Sequence, residues 1–123
     1  MNDEIFRKLV EEALEEIPKE FKERIENVTV VVEEWPSRAQ LMTLGKRNQT
    51  GMILGLYQGI PHIRRRSYGI GGAIPDKITI FRQPILLISG SSQDVKKNVK
   101  ETVVHEIGHH FGLSDEQIYK ALR

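Results

Sequence analysis

His105-Glu106-Ile107-Gly108-His109-His110-Phe111-Gly112-Leu113-Ser114-Asp115 is the stretch that decides how this chain folds. It spells HExxHxxGxxD and holds three of the chain's four histidines. The spacing predicts a helix from near Gln93 to Phe111, with Val95, Val99, Val103, Val104, Ile107 and Phe111 on one half of the wheel at about 100° per residue. His105 and His109 fall together at the border of that apolar arc. Side chains at i, i+4 have Cβ atoms about 5–6 Å apart, so two imidazoles there can converge on one metal ion. Glu106 falls beside the histidine face, better placed to neighbour a metal-bound water than to act as a ligand. His110 falls inside the apolar arc and reads as a packed or supporting histidine.

Two histidines do not complete a catalytic zinc site, which usually has three protein ligands and one water. Gly112 stands where a left-handed glycine ends a helix. Ser114 and Gln117 form the S-x-x-Q pattern that caps a following one. Asp115, just past the turn, has two readings. It can swing back as a third ligand, or it is simply an acid favoured in the first turn of the last helix; spacing alone leaves both open. His62, next to Pro61, reads as a surface histidine. Zinc held here would lower the pKa of its bound water to about 7 and polarise the scissile carbonyl. Glu106 would take the water's proton and pass it to the leaving amine. Tyr68, Tyr119 and the Arg64–Arg66 cluster are candidate donors to the oxyanion.

Upstream, residues 3–17 predict an amphipathic helix, with Ile5, Leu9, Ala13 and Ile17 at i, i+4 and Phe6, Val10 and Leu14 alongside. Pro18 ends it and can start a second short turn. Val28–Val32 is a β-branched strand stopped by Trp35-Pro36. Residues 37–50 read as a loop or short helical turn. Met52–Tyr57 is a second strand closed by Gly59 and Pro61, and His62–Pro75 a basic, then glycine-rich surface loop. Lys77–Phe81 is a third strand. Ile85–Ile88 is a fourth strand or an apolar segment beneath the next helix, and Pro84 argues against a central strand there.

The 123 residues, with 28% charged and 39% hydrophobic, suit one modest core, read as a single domain over residues 1–123. No apolar run nears the roughly 20 residues that span a bilayer. The acidic start gives no signal peptide, so the expected location is cytoplasmic, away from any membrane. The absence of cysteine excludes disulfides, thiolate ligands and a thiol nucleophile. The net charge of +1 divides unevenly, −6 over residues 1–34, +9 over 35–100 and −2 over 101–123. An acidic helix beside a basic sheet face accounts for this. The tri-arginine run lacks a reading motif or interleaved aromatics, which argues against a nucleic-acid partner.

HEIGHHFGLSDE resembles the bacterial minimal zincin-like metallopeptidase family, whose signature is HExxHxxGxxD. The segments VVVEEWPS, ILGLYQGIP, DKITIFRQPI and ETVVHEIGHHFGLSDE look like that family's blocks, in its order, and together cover most of residues 28–119. The resemblance implies an α+β, minimal zincin-like fold, in which a small twisted sheet of three or four strands packs on the N-terminal helix and the HExxH helix. It implies one zinc ion bound by His105, His109 and Asp115, with Glu106 as general base and a peptide or flexible protein segment as substrate. In larger zincins an edge strand pairs with the substrate backbone; Lys77–Phe81 is the nearest equivalent here. Larger metzincins commonly use a third histidine where this chain has Asp115, and carry a Met-turn downstream. Here the methionines (Met1, Met42, Met52) all lie upstream of the motif, which predicts a site with little wall on that side. The second functional reading is a non-proteolytic zinc-binding regulatory or interaction module that keeps the zincin fold.

Overall fold

The structure is a computed structural model that describes residues 1–44, 53–59 and 75–122. Two helices open the chain, α1 (Asp3–Glu16) and α2 (Lys19–Arg24). Asn2 caps α1 by accepting the Ile5 N–H at 2.8 Å, and Asp3 and Glu4 place negative charge where the helix dipole favours it. Pro18 then separates the helices, because it supplies no N–H and disfavours helical backbone in the residue before it. Strand β1 (Val28–Glu33) follows, then helix α3 (Arg38–Leu44), strand β2 (Gly55–Gln58) and strand β3 (Asp76–Phe81).

The sheet has the order β1-β3-β2. β1 runs parallel to β3, with Val30 opposite Ile78, and β2 runs antiparallel to it, with Tyr57 opposite Ile78. Lys77–Phe81 is therefore the central strand, paired on both sides. The expectation that it forms the edge offered to a substrate is wrong. β-branched alternation marks a strand but is silent about its neighbours. Among the described residues, the edge strand beside the helix that carries the histidine motif is β2.

The run at Ile85–Ile88 is also not a strand. Arg82–Leu87 forms a short helix, α4. Pro84 sits in its first turn, where a missing N–H leaves no intrahelical bond unmade. The described sheet thus has three strands. Helix α5 (Ser92–His110) carries the histidine motif, and α6 (Asp115–Leu122) follows it. Ser91 caps α5 by accepting the Asp94 N–H at 3.1 Å.

One core joins these elements. Phe6, Val10 and Ala13 of α1, Phe21 of α2, Ile78 and Ile80 of β3, and Val95, Val99, Val103 and Ile107 of α5 are all buried within it. Each large apolar side chain taken fully out of water contributes about 1.5–3 kcal/mol. The consequence for the site is that α5 is clamped between α1 and the sheet. No described helix is long and apolar enough to cross a membrane.

Candidate metal centre and cleft

Clamping α5 leaves only its border outside the core. His105 and Glu106 are half-buried and His109 is exposed, while Ile107 and Gly108 between them are buried. One turn of helix therefore presents two imidazoles to the surface from a fixed backbone.

Past His109 the chain reverses in a complete Schellman turn. The Leu113 N–H donates to Gly108 O at 2.8 Å and the Gly112 N–H to His109 O at 3.1 Å. Gly112 has φ +80°, a left-handed conformation that side chains with a Cβ rarely adopt. Ser114 then starts α6 through the reciprocal bonds of a capping box. Its N–H donates to Gln117 Oε1 at 2.8 Å, and its Oγ accepts the Gln117 N–H at 3.2 Å. Asp115 is the first residue of α6.

This turn folds Asp115 back onto α5. The donor atoms of His105, His109 and Asp115 lie within 4.8 Å of one another, and His109 Nε2 is 2.8 Å from Asp115 Oδ1. The His109 ring holds the Asp115 carboxyl below its usual range, because a hydrogen bond to the ionised form favours it. The His109 and Asp115 side chains are 37% and 68% exposed, so the group is open to solvent on this side. Tyr119 of α6 sets its ring edgewise to His105, with centroids 5.2 Å apart. Tyr68, Arg64–Arg66 and His62 lie outside the described residues.

Glu106 turns away from this group. Its Oε1 accepts the main-chain N–H of Tyr57, in β2, at 3.0 Å. The register explains why that N–H is available. Leu54 O accepts from Phe81 N at 2.9 Å, so in the antiparallel ladder the even-numbered residues bond to β3. The main-chain groups of Gly55 and Tyr57 point the other way, off the sheet.

β2 comes this close to α5 because of Gly55. A Cβ there would stand 2.6 Å from Thr102 Cγ2. Between the two elements runs a cleft of about 440 Å³. Ile53, Leu54 and Gly55 form one wall, and Thr102, His105, Glu106 and His109 lie on the other.

Two residues of this region, Tyr57 and Asp76, carry no signal of function in the sequence, and a third, His110, carries little. Tyr57 stacks on His110, with ring centroids 4.0 Å apart and planes 25° apart, and donates its hydroxyl to Asp76 Oδ2 at 2.5 Å. His110 is thus a supporting residue packed on an aromatic ring, but it is exposed rather than sunk in the core. The one hint in the sequence is its place next to His109; its partner lies 53 residues away, and no spacing rule reaches that far.

Residues 25–122 match the model of the zincin-like metallopeptidase family. The chain belongs to that family. The whole architecture has a solved counterpart in a conserved hypothetical protein from T. thermophilus, 27% identical to this chain. That likeness covers 97% of this chain and 98% of the other, with a TM-score of 0.54. The chain matches no curated protein. A zincin-like metallopeptidase implies a metal ion, typically zinc. The donors fit one: two imidazole nitrogens and a carboxylate oxygen are the type of set that catalytic zinc takes, and these three converge from two helices.

Proposed function

We propose that this protein is a zinc-dependent peptidase, with His105, His109 and Asp115 as the ligands and Glu106 as the general base. The observation that carries the reading is a division of labour within one turn of α5. His105 and His109 meet Asp115 in a group that could hold a metal, while Glu106, between them in sequence, faces the cleft and β2 instead.

Zinc held by these ligands supplies Lewis-acid chemistry, acidifying a water and polarising the carbonyl of the bond to be cut. The remaining work falls to the chain. The outward edge of β2 presents the main-chain groups of Gly55, along which the backbone of an extended peptide aligns. This places its backbone along the cleft, beside His105 and Glu106. A Glu106 carboxylate oxygen takes the proton of the attacking water as the new C–O bond forms. The same oxygen returns that proton to the amine nitrogen as the C–N bond breaks. The Tyr57 N–H fixes the direction of the Glu106 carboxylate before substrate arrives. Tyr119, beside His105 on the open side, is the described candidate for a donor to the oxyanion.

The test combines metal analysis with a peptide-library digest. Wild-type protein is expected to hold one zinc per chain and to cut peptides. In Glu106→Gln the zinc stays and cleavage falls by about 10²-fold or more. Protein that binds no zinc sinks the reading. Zinc binding with every peptide left intact by wild type supports the non-proteolytic module instead.

A further inference from the structure

Glu101 lies one turn of α5 before His105 and lines the same cleft. It is half-buried, and its carboxylate makes no hydrogen bond or ion pair with any other described residue. A carboxylate with no protein partner on the wall of a cleft is open to an opposite charge brought by a ligand. Apolar side chains line the same cleft, those of Ile53 and Leu54 ahead of β2 and of Ile88 after α4. The turn that carries Ile88 is tied to α5 through its neighbour Ser89. Asn98 Nδ2 donates to Ser89 Oγ at 2.9 Å, and Ser89 Oγ donates in turn to Ile85 O at 2.6 Å.

We propose that Glu101 is the specificity-determining residue of this cleft and selects a lysine or arginine side chain next to the bond that is cut. The proposal rests on the peptidase reading above and names the substrate class for that same site. Four residues of helix separate Glu101 from His105, a rise of about 6 Å. The hydrocarbon stem of lysine or arginine covers that span. Such stems lie along apolar surface while their charged heads seek a polar partner. Ile53, Leu54 and Ile88 supply the surface, and Glu101 the partner. A short acidic side chain would meet like charge at Glu101, and an aliphatic one would leave the carboxylate without its counter-ion. A peptide's terminal amine, attached directly to the backbone, would make no use of the apolar walls.

The test uses peptides with acetylated N-termini that differ only in the residues flanking the cleaved bond. Zinc-loaded wild type is expected to prefer Lys or Arg over Glu or Asp by about tenfold or more in kcat/KM, the scale of a charge-assisted hydrogen bond. The ratio falls towards one in Glu101→Gln and inverts in Glu101→Lys. Binding of the same peptides, fluorescently labelled, to zinc-loaded Glu106→Gln follows the same order and reads the preference without cleavage. An unchanged preference in Glu101→Gln, or a wild-type preference for uncharged or acidic side chains, overturns the proposal and leaves the peptidase reading intact. A preference seen only with unblocked peptides assigns Glu101 to the terminal amine and overturns the side-chain assignment. Peptides neither cut by wild type nor bound by Glu106→Gln defeat both the peptidase reading and this one.

Discussion

His105 and His109 ride on a helix of 19 residues whose Val95, Val99, Val103 and Ile107 are each exposed by 2% or less. Asp115 rides on one of eight residues with a single buried side chain, Ile118. The two halves of the candidate metal site are therefore held in different ways. The histidine half is fixed by the core and is present whenever the protein is folded. The aspartate half is docked, by the turn at Gly112 and by Ile118 seated against Gly108. Its position is the more easily disturbed, and it should govern how tightly a metal is held rather than whether the fold forms.

Substitutions on the two sides of the joint can break or sharpen that contrast. Ile107→Ala, in the core beneath the histidines, is expected to destabilise the protein by about 2–5 kcal/mol. Denaturant melts of the metal-free protein measure this, and zinc affinity under native conditions should change little. If affinity collapses with stability, the two halves are not separable. Gly108→Ala should show the opposite balance. Replacing a helical glycine normally stabilises by about 0.5–1 kcal/mol. Here the new Cβ would meet Ile118 Cγ1 at 2.6 Å and Cδ1 at 2.7 Å. Overpacking of that kind costs about 1–3 kcal/mol and wins. Because the displaced element is α6, zinc affinity measured by competition with a chelator should fall more than stability does. Gly112→Ala isolates the turn. Nothing lies within 4 Å of its Cβ position, so the cost is backbone strain alone, about 1–2 kcal/mol. A thermal melt should show the smaller loss, again with weaker zinc binding.

The smallest effect is expected far from the site, where α1 meets α5. Lys96 Nζ is 2.7 Å from Glu16 Oε2. Their mutual hydrogen bond holds the Glu16 carboxyl below its usual value and the Lys96 ammonium above its own. The depressed carboxyl contributes stability above its unfolded value of 4.5 and loses it as the pH falls. The raised ammonium contributes below 10.5 and loses it as the pH rises. The pair thus acts between these limits, and its exposure makes it salt-sensitive and weak. Lys96→Met should alter the melting temperature least of the set. The small change should be present at neutral pH and fade in acid, in strong base and at high salt.

The contrast between the two halves also marks what the sequence could reveal. The histidine helix is legible almost to the residue, because its valines repeat at helical spacing and Gly112 ends it. The capping box at Ser114 is legible for the same reason. All of these are local relations. The sheet is less so. The three strands are legible from β-branched residues and turn signals, although the second begins only at Gly55, past Ile53 and Leu54; their order is set by packing between distant segments, and the strand expected at the edge is the central one. The segment after Pro84 fails differently, since a short apolar run suits a strand and a buried turn of helix equally well. The Tyr57 contacts with Glu106, His110 and Asp76 join three elements and have no counterpart in spacing. Phe111, placed on the apolar arc, is 47% exposed because α5 ends beyond the core, and Arg24 covers its ring at 4.9 Å.

The left-handed glycine that ends α5 has one more consequence, which concerns time rather than affinity. Proteins open locally with free energies far below that of global unfolding, and short elements with little buried surface open first. Helix α6 fits that description, with Gly112 as its pivot. A zinc ion bound at this site would then leave through a brief undocking of α6 while the histidine helix stays folded. Its exchange rate would track the frequency of that local opening, not the lifetime of the native state.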